Sequence, residues 1–280
     1  MFMKEILFNI GADDVGRSVK DFLLRGGISV TLLKKIKYGG IMLNGAEVTV
    51  RAILKEGDVL KITAPKERSE GIPPMDIPLR IAYEDEYFLA VDKPRNMPTH
   101  PSKGNNLPTL ANAVMGYFGG DFVFRSVNRL DRDTSGLVII AKDQMSAGAL
   151  SESMKRGEFR KYYECIVEGI PSQPEGIIDA PIMRECEGSI KRIVHEDGKR
   201  AVTEYKTIST EGGRAKLRIR LHTGRTHQIR VHLAHIGHPL VGDFLYGVDG
   251  DDFYLRCVEI DLPHPKSGEM ICIKAEALCE

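Results

Sequence analysis

The stretch that most constrains this chain runs Asn128-Arg129-Leu130-Asp131-Arg132-Asp133-Thr134-Ser135-Gly136, set between apolar runs at 122–127 and 137–141. Each run is β-rich and long enough for one strand, so the charged stretch reads as a loop between two strands. With Gly136 as a turn former, the loop places Arg129, Asp131, Arg132 and Asp133 at a sheet edge, where substrates are commonly met. From the residues alone, the same charges also suit a solvated loop that Thr134-Ser135-Gly136 merely closes.

At 280 residues the chain exceeds the usual single-domain size, and one large domain with a small one is expected. Hydrophobic residues are 42%, enough for a sizeable core. No run approaches the roughly 18 uncharged apolar residues of a membrane span, and the N-terminus lacks a signal peptide's apolar core. A soluble, cytoplasmic protein is expected. Cys165, Cys186, Cys257, Cys272 and Cys279 show no Cys-x-x-Cys spacing, so neither a zinc knuckle nor a disulfide framework is suggested. Lys+Arg and Asp+Glu both total 39, which argues against a strongly basic nucleic-acid binder, although a neutral total can hide a basic patch.

The first third reads as a small unit. A helix is expected over 16–26, with Val19, Phe22 and Leu23 on one side, and a second over 31–38 with Thr31 as its N-cap. In that second helix Leu32, Leu33 and Ile36 leave Lys34, Lys35 and Lys37 on other sides, a basic face. Asn44-Gly45 between residues 41–43 and 47–50 is a hairpin signal, and a strand follows at 59–63. The Pro-rich, charged stretch beginning at Pro65 reads as a linker across which domain motion is expected. The boundaries are 1–64 for the small domain, 65–78 for the linker and 79–280 for the large domain.

Beyond it, strands are expected near 79–91, 161–169, 201–208 and 215–222, and helices at 110–118, 144–156 and after Thr226, its candidate N-cap. His227, His232, His235 and His238 cluster there. Zinc-binding helices use His-x-x-x-His with a nearby glutamate, which this stretch lacks, so no metal is expected.

Several of these stretches resemble motifs of the RluA-type pseudouridine synthase family. Residues 128–136 resemble its signature loop, His-Arg-Leu-Asp-x-x-Thr-Ser-Gly-Leu, with Asn128 in place of His. Gly224-Arg225-Thr226-His227-Gln228-Ile229-Arg230-Val231-His232-Leu233 resembles its third motif. Lys161-Tyr162-Tyr163 resembles its Lys-x-Tyr strand, and Lys93-Pro94 with His100-Pro101 resembles its first motif, making Lys93 and His100 further candidates. Leu255-Arg256-Cys257 stands where the family more often has Leu-His-Ala. The first 64 residues resemble the S4-like domain that commonly precedes such catalytic domains.

The resemblance implies an α+β fold, with a mixed, mainly antiparallel sheet in the catalytic domain and a small S4-like α/β domain before it. It implies isomerisation of uridines in structured RNA, ribosomal 23S RNA or tRNA, to pseudouridine. Asp131 is then the catalytic residue, Arg230 its ion-pair partner, and Tyr163 the ring against the uracil, whose hydroxyl is a candidate for helping remove the C5 proton. Leu255 lines the pocket, Arg129 fills the space a flipped base vacates, and Lys34, Lys35 and Lys37 bind RNA phosphates. The isomerisation gains no atom and needs no cofactor, and a monomer is expected. Two alternatives stand beside it: an RNA-binding ribosome assembly factor without the chemistry, left open by Asn128, and a metal-dependent hydrolase built on the histidines.

Overall fold

The strands form two main sheets, each with its own core. The computed structural model describes residues 3–28, 30–65, 69, 71–102 and 108–276. The first sheet contains β1 (Met3–Asn9), β2 (Ile41–Leu43), β3 (Ala46–Glu47) and β4 (Val59–Pro65) in the order β1-β4-β2-β3, all antiparallel. Helices α1 (Val19–Arg25) and α2 (Val30–Ile36) pack on it through Val19, Leu23, Leu32, Leu33 and Ile36. The Ser18 hydroxyl accepts from the Asp21 amide and caps α1. Helix α2 begins at Val30, so Thr31 lies inside the helix rather than capping it.

The Asn44-Gly45 turn has positive φ at both residues, 50° and 83°, the backbone that twists with a right-handed hairpin. Asn44 also accepts from the Val59 amide and donates to Asp58, which binds the hairpin to β4. Lys34 and Lys35 are exposed on α2 and Lys37 in the turn just after it, beside the exposed ring of Tyr38. Strand β1 had no counterpart among the expected elements.

Of the expected linker, residues 66–68 and 70 lie outside the described residues. Its later part is held in place: the Asn112 amide group donates to the Pro73 carbonyl, and the Met75 amide donates to the Asn112 carbonyl. Both bonds go to α3 (Leu110–Tyr117), where a Cβ on Gly116 would collide with the Met75 backbone. Residues 73–77 are thus docked on the large unit, and free motion along the whole stretch is not what the structure has. A second close approach joins the units, where a side chain on Gly148 would strike the Gly27 backbone.

The large sheet runs β5 (Ile81–Glu84), β6 (Phe88–Lys93), β7 (Ser135–Ala141), β14 (Leu255–Pro263), β8 (Arg160–Glu168), β13 (Arg214–Leu221), β12 (Val202–Glu211) and β9 (Glu175–Asp179), in that spatial order. Strand β15 (Met270–Lys274) pairs with β14, and β10 (Ile182–Arg184) with β11 (Arg192–Val194) makes a separate hairpin. Only β7 and β14 are parallel neighbours among these pairs. Helices α4 (Gln144–Lys155) and α5 (Gln228–His235) complete the unit. Strands β6 and β7 are buried at every residue, which explains why both read as unbroken apolar runs rather than alternations.

The expected strand at 122–127 does not form. Its chain runs beside β7, with the Val127 amide donating to the Ile139 carbonyl and the Ala141 amide to the Arg125 carbonyl. The next residue ends this pairing with its side chain: Asn128 accepts from the Ile139 amide at 2.8 Å and donates to the Leu137 carbonyl at 3.1 Å. A side chain thus takes the bonds a further strand residue would make. Gly136, at φ 106°, sits where any Cβ would strike the Cys257 backbone, so the parallel pairing of β7 with β14 requires it.

Candidate active site

A cleft of about 480 Å³ opens between the 128–134 loop, β8 and the start of α5. Asp131, Tyr163, Arg230, Arg129 and Leu255, the five residues singled out in the large unit, all line it. Lys34, Lys35 and Lys37 belong to the other sheet and do not. Lys93 and His100 lie behind the loop rather than in the cleft.

The loop wall is anchored by its backbone. The Lys93 ammonium donates to the carbonyls of Pro94, Met97 and Arg132, the last at 3.2 Å. The Thr99 hydroxyl donates to the Leu130 carbonyl and accepts from the Leu130 amide. With Asn128 on β7, these bonds flank Asp131 on both sides without using its carboxylate, which is 34% exposed to the cleft. Burial pushes the Lys93 ammonium down to about 8, while Asp133, Asp131 and Asp92 oppose the fall. Asp133 is paired with Arg132 at 2.9 Å, and Arg129 is exposed at the rim.

Tyr163 and Leu255 form the floor, each about 4% exposed. Tyr163 pairs with Cys257 across β8 and β14, and its hydroxyl lies beside that thiol. Burial first, then the neighbouring Cys257 and Asp131, raise the phenol well above its ordinary pKa of 10.0. The shift disfavours the phenolate form of Tyr163. Tyr163 contributes an aromatic side chain to the cleft lining.

The third wall begins at α5 and is held by side chains. Gln228, buried at 2% exposure, donates to the Val202 carbonyl and the Thr203 hydroxyl and accepts from Thr223 and the Arg225 amide. His232 sets one ring nitrogen on Thr203 and the other on the Ala180 carbonyl, both at 2.9 Å. Both nitrogens are thereby committed to the fold, and His238 is tied to the Glu168 carbonyl. These bonds fix α5 to β12, so the residues between them are aimed rather than free. The N-cap position belongs to His227, with φ 57° and no capping bond, and not to Thr226.

Arg230 does not form the expected ion pair with Asp131. Its Nε and Nη2 donate to the two oxygens of Asp243 at 2.7 and 2.6 Å, a bidentate pair in which both residues are buried. The rings of Phe244, Tyr246 and Phe253 surround the guanidinium at 5.1 to 5.5 Å. A buried guanidinium needs a close, geometrically matched carboxylate, and a half-exposed loop aspartate is the poorer match. Asp131 acts on Arg230 through its charge, without a direct bond. The side chain nearest to Asp131 in charge terms is His227, whose Nε2 stands 3.9 Å from Oδ2. Asp243, His227 and Thr99 were not among the expected site residues; His227 carried a signal as a member of the third motif, and Asp243 as part of the Val241-Gly242-Asp243 run that follows that motif's Leu233 after seven intervening residues.

Residues 87–235 match the model of the RNA pseudouridylate synthase family. The chain is 40% identical over 236 residues to the uncharacterized RNA pseudouridine synthase YjbO of Bacillus subtilis, covering 82% of this chain and 83% of that one. The chain belongs to the RluA-type pseudouridine synthase family. It is also 42% identical over 194 residues to the ribosomal large subunit pseudouridine synthase D of Escherichia coli K12, covering 68% of this chain and 59% of that one. Among solved structures, human RNA pseudouridylate synthase domain containing 1 superposes with a TM-score of 0.62 at 25% identity, over 73% of this chain and 86% of that one.

As an RNA pseudouridine synthase, the chain must hold a uridine while its glycosidic bond is broken and remade. The cleft offers the parts this asks for: one carboxylate open to the cavity, an aromatic face below, an apolar wall beside it and cations around the rim.

Proposed function

We propose that this pseudouridine synthase isomerises specific uridines in structured RNA, ribosomal 23S RNA or tRNA, with Asp131 as the catalytic carboxylate and the target base flipped out of its stack. The observation that carries the reading is the placement of Asp131, the one residue of its loop whose carboxylate faces the cleft while Lys93, Thr99 and Asn128 fix the backbone around it. In the reaction the C1'–N1 bond breaks, the uracil turns, C1' bonds to C5, the C5 proton leaves and N1 gains one. An anionic carboxylate at the ribose supplies the charge these steps need. The Tyr163 ring and Leu255 then give the detached uracil an apolar seat.

Extruding a base from a helix costs a few kcal/mol, roughly, and Arg129 at the rim is placed to fill the vacated space. The small N-terminal unit is read as an S4-like RNA-binding domain, residues 1–64, with Lys34, Lys35 and Lys37 on phosphates. Three exposed lysines on and just after one short helix, next to an exposed tyrosine, support that role. The test is pseudouridine mapping in RNA from cells with and without the protein, complemented by wild type or Asp131→Asn. Sites that vanish without the protein and return only with wild type are expected. Sites restored equally by Asp131→Asn would remove Asp131 from the chemistry, and a map that does not change would leave the RNA-binding assembly factor as the better reading.

A further inference from the structure

His227 occupies the one left-handed backbone position beside the cleft that is not a glycine, a conformation that costs an ordinary side chain about 1 kcal/mol or more. Its ring is 13% exposed and lies between two oxygens. Nδ1 is 2.8 Å from the Tyr246 hydroxyl, and Nε2 is 3.9 Å from Asp131 Oδ2. The Tyr246 oxygen already accepts from the Arg192 amide at 2.8 Å.

That bond favours one placement of the protons. With its oxygen occupied as an acceptor, Tyr246 directs its own proton to the other partner, the imidazole Nδ1. An imidazole that accepts at Nδ1 carries its hydrogen on Nε2, and Nε2 is the nitrogen that faces Asp131. Burial, the largest cause, outweighs the opposing charge of Asp131, and with Arg230 and Arg192 against Asp243 it lowers the imidazole's pKa and favours the neutral ring; burial also raises the Tyr246 phenol.

We propose that His227 is the positioning residue of Asp131, a neutral Nε2–H donor whose tautomer is set by the chain from the Arg192 amide through Tyr246, and which aims the carboxylate at the ribose. The inference rests on the pseudouridylation reading and assigns Asp131 the partner that Arg230 does not provide. At 3.9 Å the contact is electrostatic; a turn of the partly exposed carboxylate closes it to a hydrogen bond as the sugar comes in, as catalytic contacts commonly tighten on binding. A neutral donor suits the task. It orients the anion without taking its charge, whereas an imidazolium would pair with Asp131 and blunt it.

The experiment uses the full chain and total RNA, tritiated at uracil C5, from cells lacking the protein, with tritium release read under single turnover. Asparagine places its amide where Nδ1 was and tolerates the left-handed backbone, while glutamine places its amide where Nε2 was. His227→Asn should therefore slow release about ten- to a hundredfold, the scale of one hydrogen bond to a charged group, with RNA affinity within about twofold. His227→Gln should recover most of the rate. Tyr246→Phe removes the proton that occupies Nδ1 and eases protonation of the ring, so the acidic limb of the rate profile should move to higher pH. Equal rates for wild type and His227→Asn, a larger loss for Gln than for Asn, or an unmoved limb in Tyr246→Phe would each overturn the assignment. A wild type that releases no tritium would instead overturn the synthase reading on which it stands.

Discussion

The two walls of the cleft are built on opposite principles. On the loop side, Lys93, Thr99 and Asn128 come from elsewhere or from the loop's edge and bind main-chain atoms, so the loop's own Arg129 and Asp131 stay available. On the α5 side the motif residues bind each other and the sheet: Gln228 and His232 to β12 and its neighbours, Arg230 to Asp243. Two motifs of similar polarity thus spend it differently. One wall presents its charges, and the other consumes them to hold its shape.

That difference can be broken from either side, and the α5 side should break hardest. Asp243→Ala strands the Arg230 guanidinium in a buried, aromatic setting and should destabilise the protein by about 3–5 kcal/mol, since a buried ion has lost its partner. Urea or thermal unfolding measures it. A loss under about 1 kcal/mol would mean that Arg230 escapes to solvent.

The loop side should instead lose activity while keeping the fold. Lys93 has its ammonium pushed down to about 8 from 10.5 by burial, so it sheds a proton as pH rises through 8, and with it weakens its hold on the carbonyls of Pro94, Met97 and Arg132, the last of which anchors the loop. The rate should therefore fall on the alkaline side, and Lys93→Met, already slow by about tenfold for one lost charged hydrogen bond, should lack that limb. Stability runs the other way. The folded pKa is below the unfolded one, so between about pH 8 and 10 the unfolded chain binds more protons at this position, and this residue's contribution to stability rises with pH. A rate and a stability that fall together above pH 8 in wild type, but not in Lys93→Met, would contradict this account.

The smallest effect belongs to the rim. Arg129→Ala should leave stability unchanged and slow turnover on folded RNA several-fold more than on a single-stranded target, because only the folded target has a stack to fill. Equal losses on both would place Arg129 with the phosphate contacts instead.

Much of this was legible in the chain itself. The residues that reach the cleft, Asp131, Tyr163, Arg230, Arg129 and Leu255, lie in stretches that resemble the family's motifs, and the Asn44-Gly45 hairpin and the apolar faces of α1 and α2 follow from period and turn chemistry. What was hidden depends on contacts distant in sequence. Asp243 captures Arg230 across 13 positions, and Thr99 holds Leu130 across 31. Residues 122–127 have strand composition, yet their pairing with β7 is ended by the side chain that follows them. Composition shows which segments can pair, whereas the end of a ladder depends on which donor arrives first. The tautomer of His227 was hidden for the same reason, since it is set by an amide in β11.

The pairing of Arg230 with Asp243 has a consequence for how added electrolyte acts on this enzyme. Both residues are buried, so the potential this pair imposes is screened little by mobile ions, whereas Arg129, Lys34, Lys35 and Lys37 stand in solvent within range of every counterion. Raising ionic strength should therefore loosen the grip on RNA while the isomerisation of a molecule already bound proceeds at its former pace.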